Sequence, residues 1–348
     1  MKKLQLTAGL VLLLATVSAH ASILWVGGED IDFPNGAAGV VVDTTAGRFR
    51  SGYARSDIRS GNTTSAYSNP FPGGGVTSGW LTVRAEMNCS GAVDGLQFGL
   101  IQYSMAQKGL WIGTGAGCQV ALYKYDGSTK TKLATASNSP WVGNAVVLAR
   151  FDLQVVNYGT SATVNVFVNT TPVISYTGDI TVSGVSNFDA VALGAGSVGN
   201  SIGYSEIIVA NSDTRTMGLA TLTPNAAGDI NNWTGDYTQV SESAINDATL
   251  ITDSNAGDNF ECKMNSLPSG TFWIPMVVVK ARAVKGVSGL GSLSVGVKTN
   301  GTIIAPAPTA QQPYWSVTES YSQTNPVTSA SWTQDDINAL QINLQSGN

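Results

Sequence analysis

The chain has 348 residues, 43% of them hydrophobic, which suits two domains of roughly 100–200 residues and a sizeable core. Charged residues make up only 12%, about half the usual ~25%, and the net charge is −5. Neutralising a phosphate backbone needs clustered Lys and Arg, so this acidic balance excludes a nucleic-acid partner. The four arginines Arg48, Arg50, Arg55 and Arg59 lie among Asp43 and Asp57 and read as charges on strand faces.

The first 21 residues read as a signal peptide. Lys2 and Lys3 precede an apolar run from Leu10 to Val17, and Ala19-His20-Ala21 has the small-x-small form of a cleavage site. The run is too short to span ~30 Å of hydrocarbon, so a membrane anchor is the weaker reading. The expectation is cleavage after Ala21, export to the periplasm or medium, and a fold that excludes residues 1–21. His20 is the only histidine, so the exported chain holds none. That removes Ser-His-Asp and Cys-His catalysis and His-ligated zinc or iron.

From Ile23 onward the chain is a succession of short strands. Ile23–Val26 and Val40–Val42 are apolar, and Arg48–Tyr53 is a further candidate. A loop rich in Ser, Asn, Pro and Gly is predicted over Ser60–Gly75. Trp80–Met87, Leu96–Tyr103 and Gly109–Ile112 follow. Val120–Tyr125 and Thr131–Ala136 form a hairpin around Asp126-Gly127, a strong turn signal. In Arg150–Asp179, Phe151, Leu153 and Val155 alternate with Asp152 and Gln154, and Val164, Val166 and Val168 alternate with Thr163, Asn165 and Phe167. Period-two alternation marks strands with one face buried. Phe188–Leu193 and Ile202–Ala210 close a unit over 22–211. About twelve strands without a confident helix predict a jelly-roll sandwich.

A second, smaller β-sandwich-like domain is predicted over 212–348. Asn225–Gly257 is polar, with Trp233 and Tyr237 as anchors. Phe272–Val284 is its most hydrophobic strand. Leu293–Lys298 pairs with Thr302–Ala305 across Asn300-Gly301. Thr333-Gln-Asp-Asp336 has the form of a helix N-cap with acidic first-turn residues, before a last strand at Ala339–Leu344.

Three cysteines, Cys89, Cys118 and Cys262, have no CxxC spacing, so zinc has no support. Cys89 and Cys118 fall on neighbouring predicted strands and are the expected disulfide pair on export, against three buried thiols. No cofactor is expected. Calcium is the one ion weighed: Glu29, Asp30 and Asp32 could converge with Glu206, and Asp229, Asn231, Asn232 and Asp236 form a second acidic loop. Both read more simply as solvated rims. Trp111, Trp141, Tyr67 and Tyr123 have the side-chain type for sugar stacking, although aromatics in β proteins are more often core.

The hairpin LYKYDGSTKTKLATA, the block FDLQVVNYGTSATVNVFVNTTPVISYTGD and the closing FDAVALGAG…IGYSEIIVANSDTR resemble a concanavalin A-like jelly roll of the lectin/glucanase or laminin-G class. The opening LWVGGEDIDFP…VVVDTTAGRFRSGYAR, with SDTRTMGLATLTPNAAGDINNWTGDY and NPVTSASWTQDDINAL, is similar to uncharacterised virion proteins of tailed bacteriophages and prophages. The resemblance implies a concanavalin A-like unit joined to a second β domain. Its implied role is a non-enzymatic virion component, a capsid decoration or tail-associated module, that forms homo-oligomers and contacts other virion or surface proteins. Glucanases of this class carry Glu-x-Asp-x-x-Glu on one strand, and no such motif occurs here. The leader departs from the virion pattern and makes a secreted or surface carbohydrate-binding protein of prophage origin the alternative.

Overall fold

The structure is a computed structural model of the chain, and it describes residues 8–15, 22–27, 32–36, 40–43, 57–60, 66–88, 95–105, 107–137, 146–194, 202–241, 246–287 and 289–348. Among the described residues the fold is built from antiparallel sheets and a single short α-helix, with no barrel. The all-β sandwich expectation holds. The chain divides into two units, Ala21–Thr216 and Met217–Asn348, the latter joined by Met1–His20.

The unit over Ala21–Thr216 has two sheets. One runs Lys130–Thr135, Val120–Tyr125, Gly109–Thr114, Gly95–Ile101, Ala190–Leu193, Ala66–Tyr67, Asn35–Gly36. The other runs Thr171–Gly178, Ala162–Val168, Val146–Val156, Gly79–Asn88, Ile202–Ala210, Asp57–Ser60, Val40–Asp43, with Ile23–Gly27 also on Ile202–Ala210. The alternation read from the sequence sets the register. Phe151, Leu153 and Val155 stand opposite Val168, Val166 and Val164, and all six enter one core. A one-residue slip would turn that set outward. At the expected hairpin, Gly127 takes φ 94°, and the Asp126 carboxylate accepts from the Ser128 and Thr129 amides. Those two amides hold the Asp126 carboxyl below its usual range.

One local expectation changes and one is untested. The predicted loop Ser60–Gly75 contains the strand Ala66–Tyr67, because a two-residue strand carries no period to read. Arg48–Tyr53 lies outside the described residues.

The second unit also has two sheets. One runs Pro224–Asn231, Asn259–Met264, Gln341–Gly347, Ser292–Thr299, Thr302–Ile304, with Thr309–Ala310 also on Ser292–Thr299. Thr333 caps the helix Gln334–Ala339 with a full capping box to Asp336, as its sequence predicts. Trp233 is buried and packs on Phe260, ring centroids 6.2 Å apart. The other sheet runs Gly218–Leu222, Ala8–Ala15, Trp273–Ala283, Ser316–Ser322.

The expectation that residues 1–21 stand outside the fold concerns the chain after cleavage, and the last sheet shows the uncut chain. In the full chain Ala8–Ala15 is an inner strand, antiparallel to both neighbours. The physical reason is composition. A strand buried on both faces is a continuous apolar run, and so is the core of a secretion signal. Its neighbour shows such an environment: Val277, Val278 and Val279 are each 1% exposed. No helix among the described residues is long and apolar enough to cross a membrane.

Cys118 is disulfide-bonded, and Cys89 lies outside the described residues. Cys262 is a buried free thiol whose burial pushes its pKa up to about 12. Cys262 is therefore expected to resist iodoacetamide at pH 8 in the native protein and to react at once in denaturant. Equal labelling rates in the two states, read by mass spectrometry, would contradict its placement.

Candidate functional site

Seven residues form one row across the first sheet: Lys132, Tyr123, Trp111, Gly99, Ala192, Tyr67 and Asn35, each the register partner of the next. The row occupies the face opposite the core, since the alternate residues Leu122, Ile112, Leu110, Phe98 and Leu193 fill the core. Glycine makes the row work. A Cβ on Gly99 would stand 3.0 Å from the Trp111 ring, and one on Gly113 would stand 3.1 Å from the Tyr123 ring and 1.9 Å from the Gly95 carbonyl. Without those side chains the two rings pack closely against the strands.

The two ends of the row differ. Trp111 and Tyr123 are each 1% exposed. Trp111 Nε1 donates to the Gln107 carbonyl at 3.1 Å, and the Tyr123 hydroxyl donates to the Thr114 carbonyl at 2.9 Å. Tyr125 meets the Trp111 edge at 6.4 Å, and Lys132 Nζ lies 5.7 Å from the centre of the Tyr123 ring. These are packing aromatics with satisfied polar atoms.

The far end is half-buried. Tyr67 and Tyr103 meet edge to face, centroids 5.8 Å apart. The Tyr103 hydroxyl donates to Asn35 Oδ1 at 3.3 Å. Asn35 Nδ2 donates to the Tyr67 and Ser68 carbonyls and to Asn69 Oδ1 at 3.1 Å. The Asp189 carboxylate accepts from the Tyr103 amide at 2.6 Å, and Gln102 Oε1 accepts from the Ser186 amide at 2.8 Å. Two phenol rings and the amide side chains of Asn35 and Asn69 thus share one half-exposed surface. Such a set offers apolar ring faces together with neutral donors and acceptors.

Of the aromatics named from the sequence, Trp111, Tyr123 and Tyr67 come together on the row, and Trp141 lies outside the described residues. Tyr103 and Asn35 were missed. Tyr103 falls in a 3-10 turn just after the strand Gly95–Ile101, and Asn35 in a two-residue strand, so neither carried a period.

Among the described residues, the acidic groups have separate partners. Glu29 and Asp30 lie outside the described residues, and Asp32 is buried. Glu206 is buried with φ 48° at a bulge and is ion-paired with Arg84 at 2.6 Å. Asp229 pairs with Lys298 at 2.8 Å, and Asp236 caps the turn at Thr238. Asn231 holds the Trp233 amide and the Gly235 carbonyl, and Asn232 accepts from the Asn259 amide. Among the described residues, no three His, Cys, Asp or Glu side chains form a metal-binding group.

The other sheet of this unit carries a buried ionic network. Asp152, predicted on the polar face of its strand, is fully buried. Arg150 pairs with it at 3.1 Å and donates to the Thr214 carbonyl, while the Thr82 hydroxyl donates to Asp152 and lies 2.6 Å from the Thr214 hydroxyl. Nearby Arg215 lies over the rings of Trp80 and Phe167 and pairs with Asp213.

No family model matches the chain, and no curated protein matches it. Similar solved structures include a carbohydrate esterase from the Shiga toxin-encoding bacteriophage phi24B, at 12% identity and a TM-score of 0.36, covering 56% of this chain and 100% of that one. An alginate lyase from a Chlorella virus has 10% identity and a TM-score of 0.36, over 52% of this chain and 93% of that one. An endo-β-1,4-glucuronan lyase from the fungus Trichoderma reesei has 10% identity and a TM-score of 0.33, over 59% and 97%. Carbohydrate-active proteins and a phage protein thus stand among the neighbours, and a likeness at this level assigns none of their activities. It corrects the expectation of a non-enzymatic protein. With two lyases and an esterase among similar structures, the sandwich is no ground for excluding catalysis.

Proposed function

We propose that the chain recognises carbohydrate at the half-exposed end of the row, where Tyr67, Tyr103 and Asn35 meet, and presents that surface on a virion or a cell exterior. The single observation that carries the reading is the Tyr67–Tyr103 ring pair joined to Asn35 and Asn69. A sugar ring has an apolar C–H face and a rim of hydroxyls. Phenol rings meet the first, and amides meet the second. The row's packed end holds the strands that carry these groups. The virion setting draws support from the sequence blocks that resemble phage and prophage proteins, and export draws support from the leader.

The test is a glycan screen on the purified full-length protein, followed by calorimetry on the retained ligand and an assay of that polysaccharide for chain cleavage. Tyr103→Ala is expected to weaken binding at least ~10-fold, about 1.4 kcal/mol. Tyr103→Phe, which keeps the ring and loses the bond to Asn35, is expected to fall between. A screen that retains no glycan, or unchanged binding by both Tyr67→Ala and Tyr103→Ala, sinks the reading. Peptides of this chain sedimenting with phage particles in stoichiometric amount would support the virion setting. Their absence from particles would remove that setting and leave the glycan site untouched.

A further inference from the structure

In the second unit, Gly218–Leu222 and Trp273–Ala283 flank the strand Ala8–Ala15, and both take it as a hydrogen-bonding partner. Leu10 to Leu14 stand opposite Leu222 to Gly218, and Ala8 to Leu13 stand opposite Ala281 to Met276. The flanks are buried: Leu219, Ala220 and Leu222 are each 2% exposed on one side, and Met276 to Val279 each 1% on the other. The seated segment, AGLVLLLA, has no charge, no proline and no side-chain hydrogen-bonding group. Two strands with one between them lie two spacings apart, about 9.5 Å. Closing the channel without a guest would move one flank by a full spacing, about 4.8 Å, and drag Ala220 and Leu222 or Val277 and Val279 out of their core.

The same segment has the composition of a leader core that export removes. We propose that the channel is a strand-acceptor site. Ala8–Ala15 fills it in the full chain. Once the leader is cut away, an uncharged aliphatic strand of a partner polypeptide takes its place, antiparallel to both flanks. The partner supplies main-chain hydrogen bonds for affinity and an unbroken apolar run for fit. The proposal rests on removal of the leader and is independent of the carbohydrate reading.

The experiment uses the full chain with a protease site inserted between Ala15 and Ser22. After the cut, the fragment is expected to stay bound and to exchange for an isotope-labelled peptide of residues 8–15 flanked by lysines, read by native mass spectrometry. The same peptide with Leu12→Pro is expected not to enter, because proline cannot donate to the ladder. With the channel emptied, amide exchange at Leu219–Leu222 and Val277–Ala281 is expected to quicken at least ~10-fold, and the labelled peptide to restore protection. If emptying unfolds the unit, refolding on addition of the peptide supports the site. Failure of the labelled peptide to enter, entry of the proline peptide, or unchanged protection in the emptied protein overturns it.

Discussion

Replacing Asp152 with alanine is expected to lower the unfolding free energy by about 3–5 kcal/mol. Asp152 is fully buried, yet it faces away from the core that takes Phe151 and Leu153. Its carboxylate answers the Arg150 guanidinium, itself only 8% exposed, and accepts from the Thr82 hydroxyl. Removing it leaves the buried Arg150 cation without its carboxylate and takes an acceptor from the Thr82 hydroxyl, which is the costly way to break an ion pair. Urea denaturation of the two proteins measures the loss. A double variant, Arg150→Met with Asp152→Leu, removes both charges and is expected to recover most of it. A loss below about 1 kcal/mol in Asp152→Ala would mean that the network is wet and screened.

Trp111→Ala is expected to cost about 3–5 kcal/mol by the same measurement. The ring is 1% exposed, lies against the Gly99 backbone, meets Tyr125 edge on and donates to the Gln107 carbonyl. Alanine leaves a cavity that Gly99 cannot fill, because it has no side chain to move. Trp111→Phe keeps most of the volume and loses only the indole bond, so its cost is expected to be less than half as large. If alanine and phenylalanine behave alike, the hydrogen bond rather than the packing holds the ring.

Much of this fold was legible because most of its strands alternate. Phe151–Val155 and Val164–Val168 name their buried face, and Asp126-Gly127 and Asn300-Gly301 name their hairpins. The candidate site was half legible. Tyr67, Trp111 and Tyr123 could be named by residue type, but only register reveals that they share a row across strands far apart in sequence. Asn35 and Tyr103 sit in a two-residue strand and a turn, where no periodic signal exists. Asp152 misled because alternation tells which side of a sheet a residue takes, and not whether the chain at Thr214 covers that side. Ala8–Ala15 suits two readings at once, because an unbroken apolar run is the composition both of a secretion core and of an inner strand.

The strand Gln341–Gly347 lies between Asn259–Met264 and Ser292–Thr299, with Leu344 set between Phe260 and Val295. It comes late in the chain. At roughly 5–20 residues per second, the ribosome has released both flanking strands seconds before the piece that joins them. For that interval the nascent protein carries two half-sheets with facing raw edges, an opening for strand-binding chaperones and for other nascent chains. A frameshift shortly before Gln341 would therefore take out the middle of a sheet rather than its fringe, and its product should be found with the cell's aggregates.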